Sequence, residues 1–121
     1  MLTLPPAVRV LVCLEATDMR KGFDGLAAVT RERLEEDPFS GHLFVFFNRR
    51  KDRVKILFWD RSGLVVWYKR IEKGRFRLAS LDVHRDGRHT EVEAAELTLI
   101  LEGIDLSQAK RRARFVPHKT A

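Results

Sequence analysis

The sequence predicts an α+β fold, an antiparallel β-meander of four to five strands packed with two helices, and three features of its 121 residues carry that prediction. Three strand-forming runs, 42–47, 53–59 and 64–70, follow one another across connectors short enough for hairpins. Two further stretches, 23–35 and 94–102, have the composition and spacing of helices instead. Apolar residues make up 45% and charged residues 33%, enough hydrophobic material to offset chain entropy.

The elements follow in order. Val8 to Leu14 places Val8, Val10, Val12 and Leu14 on one face, which reads as a strand with that face buried. After the loop Thr17 to Gly22, the stretch Phe23 to Glu35 sets Phe23, Leu26, Ala27 and Leu34 against charges, as an amphipathic helix does. Asp37-Pro38-Phe39-Ser40-Gly41 stops it, because proline disfavours helix at the preceding residue and glycine tolerates positive φ. His42 to Phe47, Arg53 to Trp59 and Leu64 to Arg70 are the hairpin strands, and Arg75 to Leu78 alternates arginine with apolar residues as a fourth. Thr90-x-x-Glu93 has the spacing of a capping box ahead of a second helix, Ala94 to Glu102, which Gly103 ends. Asp82 to His89 is polar and expected to be mobile. Residues 1–106 are read as one α+β domain, and 107–121 as a basic C-terminal tail or a short helix capped by Ser107.

Cys13, the single cysteine, lies in an apolar run, so no disulfide framework or cysteine zinc site is expected within one chain. The N-terminus lacks the pattern of a signal peptide, and no apolar run approaches the ~20 residues of a membrane span. A cytoplasmic protein without a membrane partner is expected.

Net charge is +6, and it is segregated. Residues 1–48 carry 5 Lys/Arg and 7 Asp/Glu (−2), 49–77 carry 11 and 3 (+8), 78–106 carry 2 and 7 (−5), and 107–121 carry 5 and none (+5). An excess of +8 within 29 residues costs self-repulsion that an anionic partner relieves. Nucleic acid is the partner that this pattern suits, with cations meeting phosphates and aromatic planes stacking on unpaired bases.

The tip Asn48-Arg49-Arg50-Lys51 carries the binding reading best, having three adjacent cations and nothing apolar to bury. Further contacts are assigned to Arg53, Lys55, Arg61, Trp67, Lys69, Arg70, Lys73, Arg75 and Arg77 in the meander, and to Lys110, Arg111, Arg112 and Arg114 at the C-terminus. Alternation suggests one sheet face making core while the other mixes Arg53, Lys55 and Trp59 with Trp67 and Lys69. Trp59, Trp67 and Tyr68 equally suit packing against a helix, and that is the reading preferred for them. The C-terminal cations either touch phosphates or merely solubilise the end. Glu91, Glu93, Glu96 and Glu102 could offset the basic sheet from within.

No active site is persuasive. Asp18, Asp24, Asp52, Asp60 and Glu72 are the carboxylates a metal-dependent nuclease would draw on, but Asp52, Asp60 and Glu72 fall in turns, where such residues serve local hydrogen bonding. His84 and His89 flank Asp86 without further ligands, and His42 and His118 add none. Phosphate-loop and nucleophile-elbow motifs are lacking, so no cofactor, nucleotide or metal is expected.

Several stretches also carry a resemblance: Thr17-Asp18-Met19-Arg20-Lys21-Gly22-Phe23-Asp24-Gly25-Leu26, Gly41-His42-Leu43-Phe44-Val45-Phe46 with Asn48-Arg49-Arg50, and Asp52-Arg53-Val54-Lys55-Ile56-Leu57. Trp59-Asp60-Arg61-Ser62-Gly63, Trp67 to Gly74 and Leu101-Glu102-Gly103-Ile104-Asp105 continue it. In order and spacing these resemble the TnpB-type accessory proteins, also called Orf2, of the bacterial IS sixty-six class of insertion sequences. The resemblance implies a non-catalytic accessory requirement in DNA transposition, beside a separate transposase that carries the catalytic residues. It assigns no residue a role. The expectation from charge and resemblance together is a DNA-binding accessory factor acting at transposon ends. The alternatives are a protein-interaction module docking the transposase or another accessory subunit without touching DNA, and, least favoured, a metal-dependent nuclease.

Overall fold

The computed structural model describes residues 7–78, 89–105 and 110–111. Its elements are β1 (Val10–Cys13), α1 (Phe23–Arg33), β2 (Leu43–Phe47), β3 (Arg53–Asp60), β4 (Gly63–Arg70), β5 (His89–Val92), α2 (Ala94–Glu102), β6 (Ile104–Asp105) and β7 (Lys110–Arg111). Five strands form a mixed, mostly antiparallel sheet in the order β4-β3-β2-β1-β5, and β6 pairs with β7 apart from it. The predicted α+β class with two helices stands. Among the described residues, no helix is long and apolar enough to cross a membrane.

Every residue of β1 and β2 is buried, because the two strands sit at the middle of the sheet with a helix on each face. Leu11, Cys13, Phe44, Phe46 and Leu57 point to α1 and pack on Leu26, Ala27 and Val29. Val10, Val12, Leu43, Val45, Phe47, Val54 and Ile56 point the other way, onto Leu97, Ile100 and Leu101 of α2. This explains the runs Val-Leu-Val-Cys and Leu-Phe-Val-Phe-Phe: a strand covered on both faces has no reason to alternate. β1 runs parallel to β2, the crossover being made by α1.

Four expectations are corrected. Arg75 to Leu78 is not a strand, because the amides of Ile71 and Phe76 are taken by the carbonyls of Asp52 and Lys51 at 2.8 and 2.7 Å, turning the chain across the end of the sheet. The meander therefore has three strands, and the remaining sheet position is filled by β5 against β1. The helix α1 stops at Arg33, with Glu35 at a φ of 54°, and Phe23 at its start is exposed while Val29 and Thr30 are buried. Thr90 lies in β5 opposite Val12, and the capping box forms one turn later between Glu93 and Glu96, whose carboxylate accepts the Glu93 amide at 3.3 Å. The expected bounds of α2 hold, with Gly103 taking the left-handed φ of 79° that glycine adopts without a Cβ penalty. His89 belongs to β5, and the rest of the polar segment 82–88 lies outside the described residues.

The fourth correction concerns the faces of the hairpin. Register pairs Ile56 with Trp67, Val54 with Lys69, Lys55 with Tyr68, and Trp59 with Leu64. Trp67 and Lys69 thus share the α2 face with the core of β3, while Lys55 and Trp59 share the α1 face. No sheet face gathers both tryptophans between cations.

Candidate nucleic-acid interface

The hairpin from β2 to β3 is built on Asn48. Its Oδ1 accepts the amides of Asp52 and Arg53, both at 3.1 Å, and its Nδ2 donates to the Asp52 carboxylate at 2.6 Å. Its carbonyl accepts the Lys51 amide at 3.1 Å, which leaves Arg49 and Arg50 at the corner of the turn, both exposed. Lys51 completes the turn at a φ of 59°, a left-handed conformation that costs a lysine about 1–2 kcal/mol. An asparagine at the base of the turn thus fixes three adjacent cations on a rigid support.

The next basic run is fastened to this tip. Phe76 is 1% exposed and tilted on Phe47 with 5.6 Å between ring centroids, and its amide donates to the Lys51 carbonyl. Lys73, Arg75 and Arg77 stay exposed around that anchor, with Gly74 at a φ of 83° making the bend. Among the described residues, no carboxylate lies within ion-pairing distance of Arg49, Arg50, Lys51, Lys73 or Arg77.

The loop after β1 closes the other side. The Thr17 amide donates to the Phe47 carbonyl at 2.8 Å, bringing Thr17, Asp18 and Met19 beside Asn48, Arg49, Arg50, Asp52 and Arg53 around an open recess of about 380 Å³. Hydrogen bonds from the Arg20 side chain and amide hold the Asp18 carboxyl down to about 2, and the Asn48 amide lowers that of Asp52. Both carboxylates are ionised and already bonded to neighbours. Among the described residues, no three His, Cys, Asp or Glu side chains are grouped to hold a metal ion.

The expected contact residues do not form one surface. Arg49, Arg50, Lys51, Lys73, Arg75 and Arg77 collect at one end of the sheet, with Arg53 and Arg70 opposite each other just inside it. Arg53 donates to the Tyr68 hydroxyl at 3.3 Å, and Arg70 pairs with Glu72 at 2.8 Å. Arg61 lies in the turn at the far end of β3, about 24 Å away by strand rise. Lys55 is withdrawn altogether: it is 8% exposed, its ammonium donates to the carbonyls of Met19 and Lys21, both at 2.8 Å, and it lies 4.7 Å from the Tyr68 ring centre. Lys69 donates to the Leu101 carbonyl at the end of α2, at 2.8 Å, and Trp67 packs against the core. Lys110 and Arg111 form β7 with Ile104 and Asp105, while Arg112 and Arg114 lie outside the described residues.

Three of the four acidic residues expected to offset the cations are occupied elsewhere. Glu91 pairs with Arg9 at 2.8 Å, and Glu93 and Glu96 cap α2. Sequence reasoning overlooked Asn48 as the organiser of the tip, and Thr17, Asp18 and Met19 of the loop after β1 as its neighbours. The signal was present, since that loop and the tip are two of the stretches that carry the family resemblance.

Comparison with known proteins agrees with these stretches. Residues 8–111 match the family described as IS66 Orf2 like protein. The chain is similar to uncharacterized protein y4jC of Sinorhizobium fredii, at 32% identity over 114 residues covering 94% of each chain. It is also similar to uncharacterized protein y4hO of the same organism, at 37% identity over 98 residues, 81% of this chain and 82% of the relative. No solved structure matches.

Proposed function

Because the chain belongs to the IS66 Orf2-like family, and so has a role in transposition of an insertion sequence, we propose that it serves there as a non-catalytic accessory factor that binds DNA through the basic end of its sheet. The observation that carries this is the rigid tip: Arg49, Arg50 and Lys51, held by the Asn48 network, joined to Lys73, Arg75 and Arg77 by the bond from Phe76 to Lys51. Exposed cationic side chains on a fixed support lose little on meeting phosphates, and they position a protein on nucleic acid without reading sequence. Lys55, Lys69 and Trp67 act in the scaffold, and Arg61 stands outside the surface. The C-terminal cations Lys110, Arg111, Arg112 and Arg114 supply a second contact.

Binding of the purified chain to duplex and single-stranded transposon-end DNA, followed by fluorescence anisotropy at low salt, tests the reading. Charge reversal of Arg49, Arg50 and Lys51 to glutamate should abolish most of the affinity while leaving the fold intact. Absence of binding by the unaltered chain would reject it.

A second reading, docking on an acidic surface of the transposase, is favoured by the carboxylates of Asp18, Asp52 and Glu72 interleaved with the cations, which suit a protein surface of mixed charge better than phosphate. A complex with the transposase that survives nuclease digestion supports it, and one lost on digestion supports DNA contact.

A further inference from the structure

We propose that β4 is a pairing edge for a second copy of this chain, so that two sheets join antiparallel through Gly63–Arg70 about a two-fold axis at Trp67. The strand ends the sheet and has eight residues, whereas the opposite edge, β5, has four. It pairs with β3 in unbroken register from Arg53 with Arg70 to Asp60 with Gly63, without a bulge to twist it away. Among the described residues β3 is its one strand neighbour. Exposed edges are ordinarily blunted by proline, by a mid-strand charge or by a bulge. Gly63-Leu64-Val65-Val66-Trp67-Tyr68 has none of these; charge is confined to the last two residues of the strand, where Lys69 donates to the Leu101 carbonyl and Arg70 pairs with Glu72.

The backbone itself selects the partner. The bond from the Ile71 amide to the Asp52 carbonyl marks 52 and 71 as a hydrogen-bonded pair. Antiparallel alternation then aims the free N–H and C=O groups of Leu64, Val66, Tyr68 and Arg70 away from β3. A second β4, rotated about Trp67, meets them group for group: Leu64 with the partner's Arg70, and Val66 with the partner's Tyr68. Each cation then lies opposite an uncharged residue, Lys69 facing the partner's Val65. Trp67 faces the partner's Trp67 in a pair without direct hydrogen bonds, where side chains come closest. A foreign strand could use the same edge, but this self-match of parity, charge and aromatic pairing favours the identical chain.

Such a dimer carries its basic tips at opposite ends, pointing apart, and so engages two duplexes rather than two half-sites of one. That consequence alone rests on the proposed DNA binding. Light scattering across micromolar to millimolar concentrations should give twice the 14.1 kDa chain mass, falling to 14.1 kDa on dilution. Val66→Pro removes an N–H that makes no bond within its own sheet, so it should remain at the monomer mass with an unchanged far-UV spectrum. Should that variant not fold, amide exchange in the unaltered chain decides: the Val66 and Tyr68 amides should slow with rising concentration. A monomer throughout, a dimer persisting in folded Val66→Pro, or exchange independent of concentration overturns the proposal. Capture of a second labelled duplex by protein on an immobilised one should be lost in Val66→Pro. If the chain binds no DNA at all, the mass measurements still decide the pairing.

Discussion

The amide of Phe76 donates to the carbonyl of Lys51 at 2.7 Å, and through that bond the two basic runs of the chain become one surface. Phe76 is buried against Phe47, so the strap that carries Lys73, Arg75 and Arg77 cannot leave the tip without exposing a core side chain. Burying a phenylalanine contributes roughly 1.5–3 kcal/mol, which holds this junction more firmly than the surface ion pairs around it.

Lys51 sits in a left-handed turn position where glycine is at ease. Lys51→Gly should stabilise the fold by about 1 kcal/mol in urea titrations while weakening DNA binding by one phosphate contact. The two effects have opposite signs. A variant that gains stability without losing affinity would remove Lys51 from the interface.

Lys55 belongs to the scaffold, so Lys55→Met should leave the salt dependence of DNA binding unchanged. It leaves the carbonyls of Met19 and Lys21 without their donor, and unfolding free energy should fall by about 1–3 kcal/mol. Faster amide exchange in the loop 17–22 would locate the damage. A shallower salt slope with intact stability would return Lys55 to the binding surface.

Asp18 titrates at about 2 in the folded chain, below its ordinary 3.8, because Arg20 bonds its ionised form. The folded value is depressed, so the contribution to stability is present above 3.8 and lost as pH falls towards about 2. Asp52 and Glu91 are shifted in the same direction, by Asn48 and Arg9 respectively. Stability should therefore decline through this acid window, and Arg20→Ala should return the Asp18 carboxyl signal, followed by NMR, to the ordinary carboxylate range. An unaltered Asp18 titration in that variant would refute the pairing.

Local chemistry made much of this fold legible. Good helix formers followed by Gly103 fixed the span of α2, and the polar tip Asn48 to Lys51 between two apolar runs marked the first hairpin. The face error came from register. With Asp60 paired to Gly63, facing residues of β3 and β4 differ in parity, so Trp59 and Trp67, both odd, must lie on opposite faces. The loop Arg61-Ser62 held that information. What lay beyond local reading was long-range: His89 to Val92 is polar enough to pass for loop, and becomes a strand because the free edge of β1 accepts it. Likewise, nothing near Lys55 in the sequence reveals that two carbonyls from 34 and 36 residues away bury its charge.

The central claim, that Arg49, Arg50 and Lys51 contact phosphates, is tested most directly by the salt dependence of DNA affinity in the unaltered chain and in the variant with all three replaced by alanine. Contact with about six phosphates gives a slope of log K against log salt of roughly −5, and losing three of them makes it shallower by about 2.7. Equal slopes for the two proteins would contradict the account.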